Sequence, residues 1–126
     1  MSQPRIESFS DFWPYYVAAH SKKATRRFHA VGTALAVATL PIAALTTPWA
    51  LLAAPLLGYG LAWYSHFFIE GNRPATFGYP LYSLASDFVM LAKMAAGTMD
   101  AEVERVLAGR AGAASALRGE PQEGLA

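Results

Sequence analysis

Apolar and polar positions divide this chain into blocks too long for a single amphipathic helix. Between Arg27 and Glu70, about forty residues pass without a Lys, Arg, Asp or Glu. Thr46, Thr47 and Pro48 interrupt that run and read as a turn, which leaves two apolar helices over residues 26–45 and 49–70. The charge-free part of the first would extend roughly 27 Å at 1.5 Å per residue, and the second has about twenty residues, so together they are long enough to cross a bilayer and return. Pro41 and Pro55 predict bends of a kind that membrane spans tolerate. Gly32 and Ala36, with the Ala30, Ala34 and Ala38 series, give the first helix small faces for close packing.

Ahead of this block, Ser8 or Ser10 can cap a helix over residues 11–19, with Asp11 in its first turn and Pro14 near its start. Phe12, Trp13, Tyr15 and Tyr16 make that helix aromatic, which suits a bilayer interface, although an aromatic core helix has the same pattern. Behind the block, the polar segment EGNRPATFGYP leads to an apolar stretch over residues 81–96, interrupted by Asp87 and Lys93. A third span, a re-entrant segment and an interfacial helix all fit that stretch. A short amphipathic helix follows over residues 100–107, and the tail from residue 109 reads as disordered. The expected class is all-α: a small polytopic membrane bundle with an N-terminal interfacial helix and an apolar helical hairpin. Residues 1–97 form its membrane-embedded part, and residues 98–126 a short helix and tail.

Composition agrees with the pattern. The chain of 126 residues is 54% hydrophobic and only 15% charged, a lopsided balance for a soluble domain. A net charge of +1 with no extended basic stripe excludes a nucleic-acid partner. The absence of cysteine removes disulfides, thiol catalysis and thiolate metal ligands, so a metal would be held by His, Asp or Glu. The first residues lack an apolar core, and no cleavable leader is expected. Lys22, Lys23, Arg26 and Arg27 precede the first apolar helix, which puts that end on the cytoplasmic side. Two crossings would return the chain to the same face at Glu70.

That topology gathers all three histidines, His20, His29 and His66, at one membrane face. His66 and Glu70, four residues apart on a helix, share one side and can chelate a single ion. Imidazole and carboxylate without thiolate suit Fe(II), Mn(II) or Zn(II), and two histidines with one carboxylate leave positions open, as in non-haem Fe(II) oxygenases. Arg73, just past Glu70, can pair with a substrate carboxylate at headgroup level, or equally snorkel to lipid phosphate. From the residues alone, three readings stand: an oxygenase, a metal-dependent lipid enzyme of another kind, and a non-enzymatic membrane protein that binds lipid or a partner.

Two segments also carry a resemblance. FWPYYVAAHSKKATRRFHAVGT and GYGLAWYSHFFIEGNRPATFGYPLYSLASDF resemble the small membrane family that includes the fungal 2-hydroxy-palmitic acid dioxygenase of phytosphingosine breakdown. The likeness runs over residues 12–90. It rests on His20 and His29 nine residues apart, on Gly32 and Thr33 after the second histidine, and on His66, Glu70, Arg73, Pro74 and Ala75 in the pattern H-x-x-x-E-x-x-R-P-A. Lys22 and Lys23 stand where family members commonly have Asn-Pro, and Thr25 where they have Asn. The resemblance implies fatty acid α-oxidation, in which a 2-hydroxy fatty acid and O₂ become the one-carbon-shorter acid and CO₂. It further implies Fe(II) held by His20, His29 and His66, with Glu70 a ligand or a partner behind one. For a bacterial member, it implies an integral inner-membrane protein with its site at the cytoplasmic face, in contact with membrane lipid.

Overall fold

A computed structural model describes residues 4–119, and among these residues every regular element is helical. Ser8 starts helix α1 (Phe9–Ala19): its backbone is extended, and its hydroxyl oxygen accepts from the Asp11 N–H at 3.2 Å. That satisfies one of the orphan donors of the first turn. Because the helix begins earlier than residue 11, Pro14 lies in its interior and removes one helical hydrogen bond. The aromatic face of α1 turns inward. Phe12, Trp13, Tyr16 and Val17 are buried and form the core with Met90, Met99, Val103 and Val106. The expected interfacial helix is therefore a core helix, since rings covered by protein cannot reach lipid headgroups.

Helix α2 (Lys23–Leu45) and helix α3 (Ala53–Ser65) pack side by side as the apolar hairpin. They run antiparallel: Phe28 stacks on Tyr64 near the open end, and Gly32 meets Gly58 further along. A Cβ on Gly32 would stand 3.1 Å from the Gly58 carbonyl oxygen and 3.2 Å from that of Leu57, so a side chain here would push the two backbones apart by a few tenths of an ångström. The single helix expected over residues 49–70 is instead three pieces, a 3₁₀ turn (Pro48–Leu52), α3, and a π-turn (His66–Glu70). Pro48 opens the first piece. Pro55 stands in the first turn of α3, where its missing N–H costs no bond within that helix. Among the described residues α2 alone is long and apolar enough to cross a membrane, and 22% of its apolar window is buried inside the protein. Two spans were expected, and one helix passes on length and composition.

Helix α4 (Pro80–Ala95) starts with proline at its first position and lies against both α1 and α2. Helix α5 (Met99–Arg118) packs on α1 and α4 and runs well past residue 107, where the sequence suggested disorder. The reason is local: residues 108–118 are rich in alanine, the strongest helix former. Asp100 and Glu102 in the first turn and Arg118 in the last complement the helix dipole, and Gly119 closes the helix at φ 71°. The part of the expected tail from residue 120 lies outside the described residues.

Candidate metal centre

Three elements deliver one histidine each to a single point. His20 is the residue that ends α1, His29 lies in the second turn of α2, and His66 follows the last residue of α3. Their exposures are 1%, 5% and 1%, so this is a buried cluster rather than a set of surface anchors. His29 Nε2 lies 3.2 Å from His20 Nε2 and 3.1 Å from His66 Nε2. Two imidazole nitrogens bound to one ion at about 2.0–2.1 Å stand roughly 3–3.5 Å apart, so this spacing fits a shared ion.

The opposite edge of each ring determines what the cluster is. His20 Nδ1 lies 2.6 Å from the Tyr16 carbonyl, His29 Nδ1 3.2 Å from Asp87 Oδ1, and His66 Nδ1 2.7 Å from Asn72 Oδ1. A carbonyl, a carboxylate and an amide oxygen only accept, so each Nδ1 must carry the proton and donate. The Asn72 orientation is itself fixed, because its Nδ2 donates to the Ala19 carbonyl at 3.0 Å. Each neutral imidazole then presents a bare lone pair at Nε2. Three such lone pairs, at 3.1–3.2 Å from their neighbours and sealed from water, repel one another. A cation between them removes that conflict, and a hydrogen-bond acceptor behind each ring is the usual support of metal-binding histidine.

Protonation is a poor alternative. Burial, and then the nearby His29 and His66, push His20 well below the ordinary histidine value, which keeps it neutral at physiological pH. Tyr16, stacked on the His20 ring at 3.9 Å between centroids, donates its hydroxyl to Asp87 Oδ1. Burial, and then the Asp87 charge, raise the Tyr16 phenol well above its usual range, so it stays a donor. Asp87 Oδ1 thus accepts hydrogen bonds from both Tyr16 and His29 and links α1, α2 and α4 behind the cluster.

Glu70 is not brought to the cluster. The π-turn adds a residue to the last turn of α3, so the i, i+4 relation assumed for a regular helix no longer holds. Glu70 Oε2 accepts from the Ser21 hydroxyl at 2.9 Å, and Oε1 from the Lys22 N–H at 2.5 Å. The carboxylate sits at the start of α2, a helix with no side-chain cap and no acidic residue in its first turn. There it complements the positive helix end. The two-histidine, one-carboxylate set suggested by the sequence becomes three histidines, with the Asp87 carboxylate behind His29 and Glu70 bonded to Ser21 and Lys22 instead.

Arg73 is exposed, with its guanidinium over the Phe77 ring at 5.6 Å. Arg26, read from the sequence as part of a basic membrane-facing cluster, is only 3% exposed. Its Nη1 donates to the carbonyls of His20 at 2.8 Å and Ser21 at 2.7 Å, and its Nη2 to Asp100 at 2.8 Å. With Asn72 on Ala19, it satisfies the carbonyls that α1 leaves without partners, and a cation at a helix C-terminus is favourable. Asn72 and Arg26 were missed as site residues. For Asn72 a signal existed: Gly71 takes φ 76°, a glycine conformation, which turns Asn72 back so that its N–H donates to the His66 carbonyl at 3.0 Å.

A buried, acceptor-backed histidine trio on an all-helical frame defines a candidate metalloprotein. Residues 6–99 match the model of the 2-hydroxy-palmitic acid dioxygenase Mpo1-like family, and the chain belongs to that family. No curated protein and no solved structure matches the chain significantly.

Proposed function

We propose that the protein is a membrane-embedded, Fe(II)-dependent dioxygenase that converts a 2-hydroxy fatty acid and O₂ into the one-carbon-shorter acid and CO₂. The observation that carries this reading is the convergence of three lone pairs at His20, His29 and His66, each ring held by an acceptor at Nδ1. A protein that only bound lipid would gain nothing from that arrangement. Neutral imidazole donors with no thiolate suit Fe(II), and three of them leave positions for other ligands.

When bound, Fe(II) would supply a redox-active Lewis acid able to bring the hydroxy acid and O₂ together. The chain's own residues do the rest. All three ligands are neutral, so the full positive charge of the ion remains available to the substrate carboxylate. Asp87 keeps His29 oriented and electron-rich through its Nδ1–H. The Tyr16 hydroxyl holds the other proton at Asp87. The stoichiometry closes without a second reductant: one hydroxy acid and one O₂ give one shortened acid, one CO₂ and one water. Arg73 is assigned to the rim, where an exposed guanidinium stacked on Phe77 can meet a carboxylate or a lipid phosphate.

Membrane embedding is supported by the apolar outer surface of the hairpin. Val31, Leu40, Ile42, Leu45, Leu52 and Leu56 are all more than half exposed, and no charged side chain interrupts them. The histidine end carries Lys22, Lys23 and Arg27, which supports a reading with that end at the cytoplasmic face of an inner membrane.

The test is metal analysis of detergent-purified protein, followed by anaerobic Fe(II) loading and O₂ consumption with 2-hydroxy-palmitate. The expected result is one iron per chain and equal amounts of O₂ consumed and CO₂ released. Iron-loaded protein that leaves the acid and O₂ untouched would overturn the assignment.

A further inference from the structure

A cavity of about 230 Å³ adjoins the metal centre, with α2, α3 and α4 each forming one side. Its polar end is His29 and Asp87. Along α2 the lining runs from His29 through Thr33 to Ala36, which at 1.5 Å per residue is about 10 Å. On α3 it runs from Tyr59 to Ala54, and on α4 from Asp87 to Leu84. All three helices therefore carry the space in the same sense, from a polar head at the histidines to an apolar far end.

The far end is kept open by small residues. Ala36 lies opposite Gly58, where a Cβ would stand 3.7 Å from the Ala36 Cβ, an ordinary contact distance. The space is also open to one side. Helix α4 packs on α2 but makes no comparable contact with α3, and Leu84 and Phe88 on that side are 46% and 47% exposed. In the membrane reading, that side faces lipid.

We propose that this groove is the seat of a single alkyl chain, which enters sideways from the bilayer between α3 and α4 and leaves its acid head at the His29–Asp87 end. The assignment rests on the proposed function, and it adds the position of the tail and the route of entry. Three features support it. The walls are apolar away from the head. The volume lies below the 300–1,000 Å³ of typical ligand pockets, so one chain fits and two do not. The open side lets the remainder of a long chain stay in lipid. Free single-chain acids are therefore admitted, and two-chain lipids are excluded. Ala36 and Ala54 set the room available to the tail.

The experiment uses the full chain in phosphatidylcholine vesicles, loaded with metal, and measures displacement of a fluorescent single-chain fatty acid. Ala36→Phe fills the apolar end, Ala54→Phe does so from α3, and Val37→Phe on the exposed side of α2 is the control. Both filling variants are expected to weaken 2-hydroxy-palmitate by about 10-fold or more, the equivalent of losing roughly two buried methylenes. A short 2-hydroxy acid should compete equally with all variants, metal content should stay at the wild-type level, and a diacyl phosphatidic acid should not displace the probe. Unchanged long-chain affinity in both folded filling variants, or displacement by the two-chain lipid, would overturn the assignment. Chain binding that follows this pattern in a protein that consumes no O₂ would retain the groove and remove the proposed reaction.

Discussion

The two ends of this molecule are built by different means. At the histidine end, side chains reach far along the sequence: Trp13 to Glu102, Tyr16 to Asp87, Ser21 to Glu70, Arg26 to Asp100 and Asn72 to Ala19. Along the hairpin between Gly32 and Ser65, the side-chain hydrogen bonds are local, such as Thr39 to the Ala36 carbonyl and Thr46 to the Ile42 carbonyl. There the helices are held by shape, with Gly32 against Gly58. Directional bonds fix atoms to within tenths of an ångström, which a metal site needs. Apolar packing tolerates exchange of one side chain for another of similar size. Precision at one end and tolerance at the other is what the proposed site for a flexible amphiphile would require.

The sharpest way to break this contrast is at the central ligand. His29→Ala should lower metal affinity by more than roughly 100-fold, since loss of a ligand exceeds the 10- to 100-fold typical of its supporting partners. Leu40→Ala in the hairpin should leave affinity unchanged, and metal titration reads both. Equal metal binding by the two variants would remove the distinction between the ends.

Next in size is Arg26→Met, which leaves the His20 and Ser21 carbonyls without a donor. The expected loss is about 2–4 kcal/mol in a denaturation midpoint experiment, the cost of stranding buried acceptors. On the hairpin, Gly32→Ala should cost about 1–3 kcal/mol by overpacking against backbone that cannot step aside. Gly58→Ala, with 3.7 Å available, should be close to neutral. If those two glycine variants behave alike, the close approach is not what orders the hairpin.

The smallest effect is a regional response to acid. The Arg26 hydrogen bond holds Asp100 below its ordinary value, and the Trp13 indole N–H, followed by Arg105, does the same for Glu102. Both groups bind protons more weakly in the folded chain than in the unfolded one. Their contribution is therefore complete above the ordinary carboxylate range, about pH 4, and is lost as pH falls through the lowered folded values. Hydrogen exchange should show amides of α1 and α5 losing protection in that window before those of residues 37–45, where nothing titrates.

Much of this was legible in the sequence, and the gaps have physical causes. The apolar blocks marked α2 and α4 closely, Ser8 was one of two caps offered for α1, and the three histidines of the sequence do lie together. Periodicity reports which face of a helix is apolar, but not what covers it, so the α1 rings were sent to a membrane interface when α4 and α5 enclose them. It also assumes a regular helix. That assumption made Glu70 a partner of His66, when a widened turn sends its carboxylate to Ser21 and Lys22. Arg26 looked like surface charge because sequence cannot show the unsatisfied carbonyls of α1 waiting beside it.

The widened turn also bears on how this gene can change. A π-turn is the structural trace of one residue more than a regular helix needs. An in-frame loss of a single codon at Phe67 or Phe68 would let α3 run straight on, giving a helix with better hydrogen bonds. The same loss would pull Asn72 round the helix axis, away from the His66 ring and from the Ala19 carbonyl to which it now donates. The locally healthier chain would hold its candidate metal centre less well, so a length change that is harmless in most helices would be visible to selection at this one.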